Sequence, residues 1–284
     1  MTIQNPTYAP LAEHIGANAL PLYFAALAVL LLTVAGLWAL ARRYPLPRAD
    51  STLPPNGCVL VWLGFGCAAA VGGAGVFVAL AKALAEPSGT PGLGALDELL
   101  LAAVGHHLPA GAQTFFAVFT HLGDTATLSG LVAVVAAALL AQQRRQLALS
   151  WTVAVAGNAL LNTALKGFFE RSRPVHDAAL QSVYGWSFPS GHSSAAVVAY
   201  GMLAYVLMRT WPPAQRNPAG CLLVVLAASA VAFTIGCSRV FIGAHYASDV
   251  LAGFASGSAW LAVCIGSIEL RRHDRRSAHT GNRS

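Results

Sequence analysis

Charge is the scarcest property of this sequence. Only 10% of its 284 residues are Asp, Glu, Lys or Arg, while 56% are hydrophobic and the mean hydropathy is +0.60. An ordinary soluble domain carries about 25% charged residues. A soluble chain this poor in charge would expose large apolar patches, so cytosolic globular, disordered and collagen-like classes are excluded. Cysteine is also sparse, with five residues and no metal-type spacing among Cys58, Cys67, Cys221, Cys237 and Cys264; they read as small buried hydrophobes rather than a disulfide framework. Lysine is nearly missing: Lys82 and Lys166 stand beside 15 Arg, which with the abundant Ala hints at a GC-rich prokaryotic genome. No Lys or Arg precedes Arg42, so the basic start of a signal peptide is lacking; Ala39-Leu40-Ala41 runs straight into Arg42-Arg43, which favours a retained helix.

What the sequence does have is apolar length. A spanning helix needs about 20 mostly apolar residues. Seven stretches approach this: Ala19–Ala41, Val59–Leu80, Thr125–Ala141, Leu147–Leu165, Ser193–Met208, Ala219–Cys237 and Val250–Ile268. Their small residues, such as Ala68-Ala69-Ala70 and Gly72-Gly73, let helices approach closely. The expected fold is therefore an all-α, polytopic transmembrane helix bundle. The expected divisions are N-terminal transmembrane helices over 1–84, an outer interfacial segment over 85–124, core helices over 125–270 and a basic, irregular cytoplasmic tail over 271–284.

The net charge of +6 would suggest nucleic acid in a soluble protein, but here the placement of each charge decides, and no nucleic-acid partner is expected. Arg42, Arg43, Arg48, Arg144, Arg145, Arg209, Arg216, Arg271, Arg272, Arg275, Arg276 and Arg283 fall on one side of a seven-span topology, which makes that side cytoplasmic. Lys82, Lys166, Arg171, Arg173 and Arg239 fall at outer ends of spans, against the positive-inside trend, and need another reason. The outer segment Glu86–Asp124 starts with a Pro/Gly-rich stretch, and Leu96–Leu101 and Phe115–Phe119 read as helices on the bilayer surface, with His106, His107 and His121 solvated or interfacial.

Three clusters sit at outer helix ends. The first, Lys166-Gly-Phe-Phe-Glu-Arg171-Ser-Arg173-Pro174, closes the fourth span, where Asn158, Asn162 and Lys166 recur every four residues on one face. The second, Phe188-Pro189-Ser190-Gly191-His192, precedes the fifth span and offers a helix N-terminus to an anion. The third runs from Ser238-Arg239 to His245 and Asp249; with the seventh helix starting near His245, Asp249 lies one turn on and can fix the imidazole's tautomer. Cations and a helix N-terminus stabilise a transferring phosphoryl group. One neutral His can attack phosphorus, and a second, protonated, can donate to the leaving group. No acidic cluster suited to Mg²⁺ accompanies them, so the cations take over the metal's electrostatic role and neither metal nor cofactor is expected.

Taken in order, the three clusters resemble the signature of the type 2 phosphatidic acid phosphatase family: Lys-x6-Arg-Pro, Pro-Ser-Gly-His and Ser-Arg-x5-His-x3-Asp. The resemblance covers about Leu96 to Ile268. It implies a six-helix phosphatase core, so that the seventh expected span is either an extra N-terminal helix or a miscount. It also implies that His245 is the nucleophile forming a phosphohistidine, Asp249 its orienting partner and His192 the general acid. Lys166, Arg173 and Arg239 are then the phosphate clamp, completed by Ser190 and the Gly191 amide, with Arg171 auxiliary. Soluble vanadium-dependent haloperoxidases share this site, but the spans argue against that branch. The implied activity is hydrolysis of a lipid phosphate or diphosphate, of the phosphatidic acid, phosphatidylglycerol phosphate or undecaprenyl diphosphate class, at the extracytoplasmic face of a bacterial inner membrane. Tyr184 and Trp186, in the loop Val175–Ser187, are placed either to touch head group or chain or to serve as ordinary aromatic-belt anchors. A lipid phosphotransferase with the same site, or a non-catalytic anion or lipid binder, is the alternative; the oligomeric state is left open.

Overall fold

In a bilayer each backbone polar group must be satisfied within the protein, and a helix does this for its own segment. The computed structural model describes residues 8–43, 55–85, 92–174, 185–212 and 217–281, with side chains left aside for 41–43, 55–69 and 273–281. Among the described residues the regular structure is helical: α1 (Ala9–Ala17), α2 (Ala19–Arg43), α3 (Pro55–Ala85), α4 (Leu93–His107), α5 (Ala110–Phe119), a 3₁₀ turn (Thr120–Gly123), α6 (Thr125–Ala141), α7 (Arg145–Phe169), α8 (Gly191–Thr210), α9 (Pro218–Phe241) and α10 (Ala247–Gly281).

Among the described residues, five helices are long and apolar enough to cross a membrane: Ala19–Leu40, Arg145–Phe169, Gly191–Thr210, Pro218–Phe241 and Ala247–Arg272. A sixth crossing is available if α5, the 3₁₀ turn and α6 act as one span bent by 44°. All seven expected stretches fall inside helices, although part of Val59–Leu80 and the end of Ala19–Ala41 lie where side chains are not described. The fifth stretch gains residues at both ends. The tail expected to be irregular from Arg271 instead continues α10 to Gly281. Arg and Ala are good helix formers, and no Pro or Gly interrupts the helix between Arg271 and Thr280. The Pro/Gly-rich stretch and Tyr184 fall mostly or wholly outside the described residues.

Side chains such as Leu32 (72% exposed), Val134 (67%) and Leu160 (74%) face outward, as a lipid-facing surface requires. Lipid is as apolar as leucine, so the bundle is held by close packing and polar contacts between helices. α8 packs closely against α10, where a Cβ on Gly253 would lie 2.6 Å from the Ser190 carbonyl oxygen and one on Gly257 2.8 Å from that of Ser194. α7 joins α8 through Asn158 and Asn162, which both donate to the Ser194 hydroxyl (3.4 and 3.2 Å). Further along, Trp151, Val198 and Met202 form a fully buried apolar core. α2 docks on α9 through Tyr23, whose hydroxyl meets that of Thr234 at 2.8 Å among the rings of Phe116, Phe233 and Phe241. α1 lies on α4, where His107 pairs with Glu13 at 2.5 Å.

Gly253→Ala should shift α8 from α10 at a cost of about 1–3 kcal/mol. This predicts a lower apparent Tm in detergent, whereas Gly266→Ala, whose Cβ meets nothing within 4 Å, should be near neutral.

Candidate active site

The chain alternates direction through α7, α8, α9 and α10, so four helix ends meet at one end of the bundle. They are the C-termini of α7 and α9, with Lys166 and Arg239, and the N-termini of α8 and α10, with His192 and Asp249. Glu170 caps α7 in the left-handed conformation (φ 45°), turning the chain so that Arg171 and Arg173 come back over the helix ends. After α9 the turn passes through Gly243 (φ 72°), and the His245 amide donates to the Arg239 carbonyl at 3.1 Å. His245 therefore precedes α10 instead of lying on it, yet Asp249, one helical turn on, still reaches its ring.

His245 is almost fully buried. Arg173 Nη1 donates to its Nε2 at 3.3 Å, so Nε2 carries the lone pair. The proton is assigned to Nδ1, which faces Asp249 Oδ2 (3.3 Å) and Ser187 Oγ (3.2 Å). Burial, helped by the charges of Arg173 and Arg239, pulls His245 down to about 3 against the opposing pull of Asp249. A neutral imidazole with Nε2 free of a proton is a nucleophile's ground state. Asp249 is held from every side: it accepts from Ser187 Oγ (2.5 Å), the Tyr246 amide (3.1 Å) and Arg171 Nη1 (2.6 Å).

Lys166 donates to the Trp186 carbonyl (2.6 Å), and Arg173 to the carbonyls of Gly185 (3.0 Å) and Ala244 (3.3 Å). Burial lowers the proton affinity of Arg173, against the pull of Asp249. Arg239, 7% exposed, donates to Thr120 Oγ1 (3.0 Å), and its buried Nε has no partner. A buried charged donor left open is costly unless something fills it, and an anion would. Ser190 is fully buried and caps α8, accepting from the Ser193 amide (3.4 Å) and hydroxyl (2.9 Å). Gly191 opens α8, where its lack of a Cβ keeps clear of the Asn162 side chain.

Arg171 is turned away from this cluster. It bridges Asp249 and Asp97 Oδ2 (2.9 Å), touches Ser248 Oγ (2.8 Å) and lies over the Tyr246 ring (4.3 Å to its centroid). Asp97, 1% exposed on α4, also accepts from the Ser248 amide (3.1 Å) and the Ser248 hydroxyl. Asp97, Arg171, Asp249 and His245 thus form one chain of charges ending on the imidazole. On the other side, His192 Nε2 donates to Asp124 Oδ1 (2.9 Å), and Asp124 Oδ2 accepts from His121 Nδ1 (2.6 Å).

The three motifs therefore come together, and four further participants lie outside the residues they single out: Asp97, Thr120, Asp124 and Ser187. For Asp97 a signal was present, since it shares a helix face with Leu101 and Val104, both buried.

Residues 147–272 match the model of the PAP2 superfamily. The chain is 34% identical over 138 residues to phosphatidylglycerophosphatase B of Bacillus subtilis (strain 168), covering 49% of this chain and 66% of the relative. It is 33% identical over 132 residues to lipid A 1-phosphatase of Rhizobium johnstonii, covering 43% of this chain and 47% of the relative. The chain thus spans about half to just under two thirds of these curated relatives. Its fold is similar to the crystal structure of the first transmembrane PAP2 type phosphatidylglycerolphosphate phosphatase from Bacillus subtilis, with a TM-score of 0.62, 28% identity, and coverage of 71% of this chain and 96% of that one.

The open donors around Arg239 predict tight binding of a tetrahedral oxyanion. Orthovanadate should bind the purified protein, and Arg239→Gln should weaken it by about tenfold or more, the cost of one charged hydrogen bond, as read by isothermal titration.

Proposed function

We propose that this chain, on its likeness to PAP2 superfamily proteins, is a member of that superfamily and an integral membrane phosphatase that hydrolyses a lipid phosphate or diphosphate through a phosphohistidine. The observation that carries this is the pairing at His245: a lone pair at Nε2 beside Arg173, and a carboxylate behind Nδ1.

In this reading Lys166, Arg173, Arg239 and the Gly191 amide at the α8 N-terminus hold the phosphoryl oxygens, with Ser190 fixing that terminus. His245 Nε2 attacks phosphorus as the bond to the leaving oxygen breaks. The imidazolium that forms keeps its Nδ1 proton, which it donates in a hydrogen bond to the Asp249 carboxylate, and the carboxylate offsets the new positive charge. His192 gives its Nε2 proton to the leaving oxygen, and Asp124 is the partner that keeps this proton on the ring until substrate arrives. Water then attacks the phosphohistidine, neutral His192 takes the water's proton, and inorganic phosphate leaves with His245 restored. Charge developing on the phosphoryl oxygens is met by side chains already in place, the source of most electrostatic catalysis. The helices around the site suit an amphiphile whose phosphate enters at the membrane surface. The substrate class proposed is phosphatidic acid, phosphatidylglycerol phosphate or undecaprenyl diphosphate.

The site is proposed to open on the extracytoplasmic side of the inner membrane, because the end of the bundle opposite to it carries the Arg-rich connections.

His245→Gln should abolish turnover of a lipid phosphate panel in detergent, while His192→Ala, lacking an acid and base worth about 10²–10⁴-fold, should still release a burst of p-nitrophenol from p-nitrophenyl phosphate, whose leaving group needs little protonation, and then turn over slowly because water attack still needs the base. Both assays should survive EDTA. Near wild-type activity in His245→Gln, or loss in EDTA restored by Mg²⁺, would overturn the mechanism.

Orientation is tested by labelling. In a cysteine-free background, Ser172→Cys should react with a membrane-impermeant thiol reagent on intact spheroplasts and Gln142→Cys only after lysis; the reverse would put the site in the cytoplasm.

A further inference from the structure

At the end of the bundle opposite His245, a lateral groove of about 810 Å³ lies between α7 and α10, with α8 behind it. Arg144, Arg145, Arg209, Arg271 and Arg272 line it where α7 begins, α8 ends and the membrane-spanning part of α10 ends. Deeper in, Leu149, Val153, Trp260 and Val263 form its walls, and Leu149 (64%), Val153 (53%) and Val263 (49%) are exposed although they lie within membrane-spanning segments. From Arg271 to Trp260 the groove follows α10 for about 16 Å at 1.5 Å per residue. That is about half of a 30 Å hydrocarbon core, or one leaflet.

The charges do not cancel. Glu269 accepts from Arg272 (3.1 Å) and from the Tyr205 hydroxyl (2.5 Å), with Arg209 at 3.9 Å. Arg144 donates to the Arg209 carbonyl (3.1 Å), which needs no counter-charge. Among the described residues Arg145 and Arg271 have no carboxylate partner. The groove is thus a cationic mouth at the interface over an apolar slot open to lipid tails.

We propose that this groove binds an anionic phospholipid of the leaflet opposite the active site, its phosphate on Arg145 and Arg271 and a chain along Val153, Trp260 and Val263. The shape selects a lipid over a soluble anion, because the slot below the arginines offers a free phosphate nothing. It also selects a charged lipid over a zwitterionic one, because cations near a membrane surface attract anionic headgroups. Bound there, the lipid fills the gap between the two helices that carry Lys166 and Asp249 at their other ends.

Trp260 gives a local reporter that is independent of catalysis. The full-length protein is reconstituted in phosphatidylcholine vesicles with rising fractions of phosphatidylglycerol bearing brominated chains, and tryptophan quenching lost in Trp260→Phe is assigned to the groove. Half-maximal quenching should come at about a tenfold lower mole fraction for brominated phosphatidylglycerol than for brominated phosphatidylcholine. Arg145→Gln/Arg271→Gln should remove that preference while p-nitrophenyl phosphate turnover continues, and Arg145→Lys/Arg271→Lys should keep it, which separates lost charge from misfolding. Equal quenching by the two lipids, or a preference unchanged in the Gln pair, would overturn the proposal. Displacement by millimolar glycerol 1-phosphate would equally overturn it, showing a site for free phosphate.

Discussion

Gathering like charges in a buried place is the constraint on which this structure depends. Lys166 feels the charges of Arg173 and Arg239, and Arg239 feels that of Arg173. A carboxylate on each would quiet the repulsion but also block an incoming anion. The protein instead gives the cations neutral acceptors: the carbonyls of Trp186, Gly185 and Ala244 and the hydroxyl of Thr120. The carboxylates stand one step back, Asp249 behind His245 and Asp124 beside His192. The repulsion is offset by packing elsewhere, which fits the tight α8–α10 crossing at Gly253 and Gly257, where the helix ends carrying His192 and Asp249 meet.

The same separation explains the two roles of arginine, two residues apart. Arg173 turns toward His245 Nε2 and remains beside the anion site, while Arg171 is neutralised by Asp97 and Asp249. Their guanidinium groups are chemically identical, and the difference comes from which carboxylates the surrounding helices bring near. The family resemblance implies an auxiliary place for Arg171 in phosphate binding; in the structure its guanidinium contacts Asp97, Ser248 and Asp249.

Much of the fold was legible because membrane spans obey a length rule: each expected stretch lies inside a helix, and the motif residues fall at helix ends that alternating direction brings together. What sequence could not supply was the ring of partners. Asp97 meets Ser248 across 151 positions, Arg239 meets Thr120 across 119, and His192 meets Asp124 across 68. Asp124 directly precedes α6 and so looks like a helix cap, but it makes no side-chain cap bond and serves His192 and His121 instead. Capping and pairing draw on the same residue types at the same places, and only the fold decides between them. α10 stays helical past Arg271 because arginine favours helix, and charge density alone does not make a segment irregular.

Asp97 sits on α4, whose 15 residues reach about 22 Å, too short to cross a 30 Å core. Its position is therefore set by contacts with α1, α9 and α10 and not by the bilayer. A segment under no obligation to span can change in length and composition far more freely than the helices behind it. The segment that carries α4 is thus a tuning element: substitutions there can reset how firmly Asp249 is held while every letter of the three motifs stays the same. Two chains with identical signatures can in this way differ in rate for reasons that lie tens of residues from any of them.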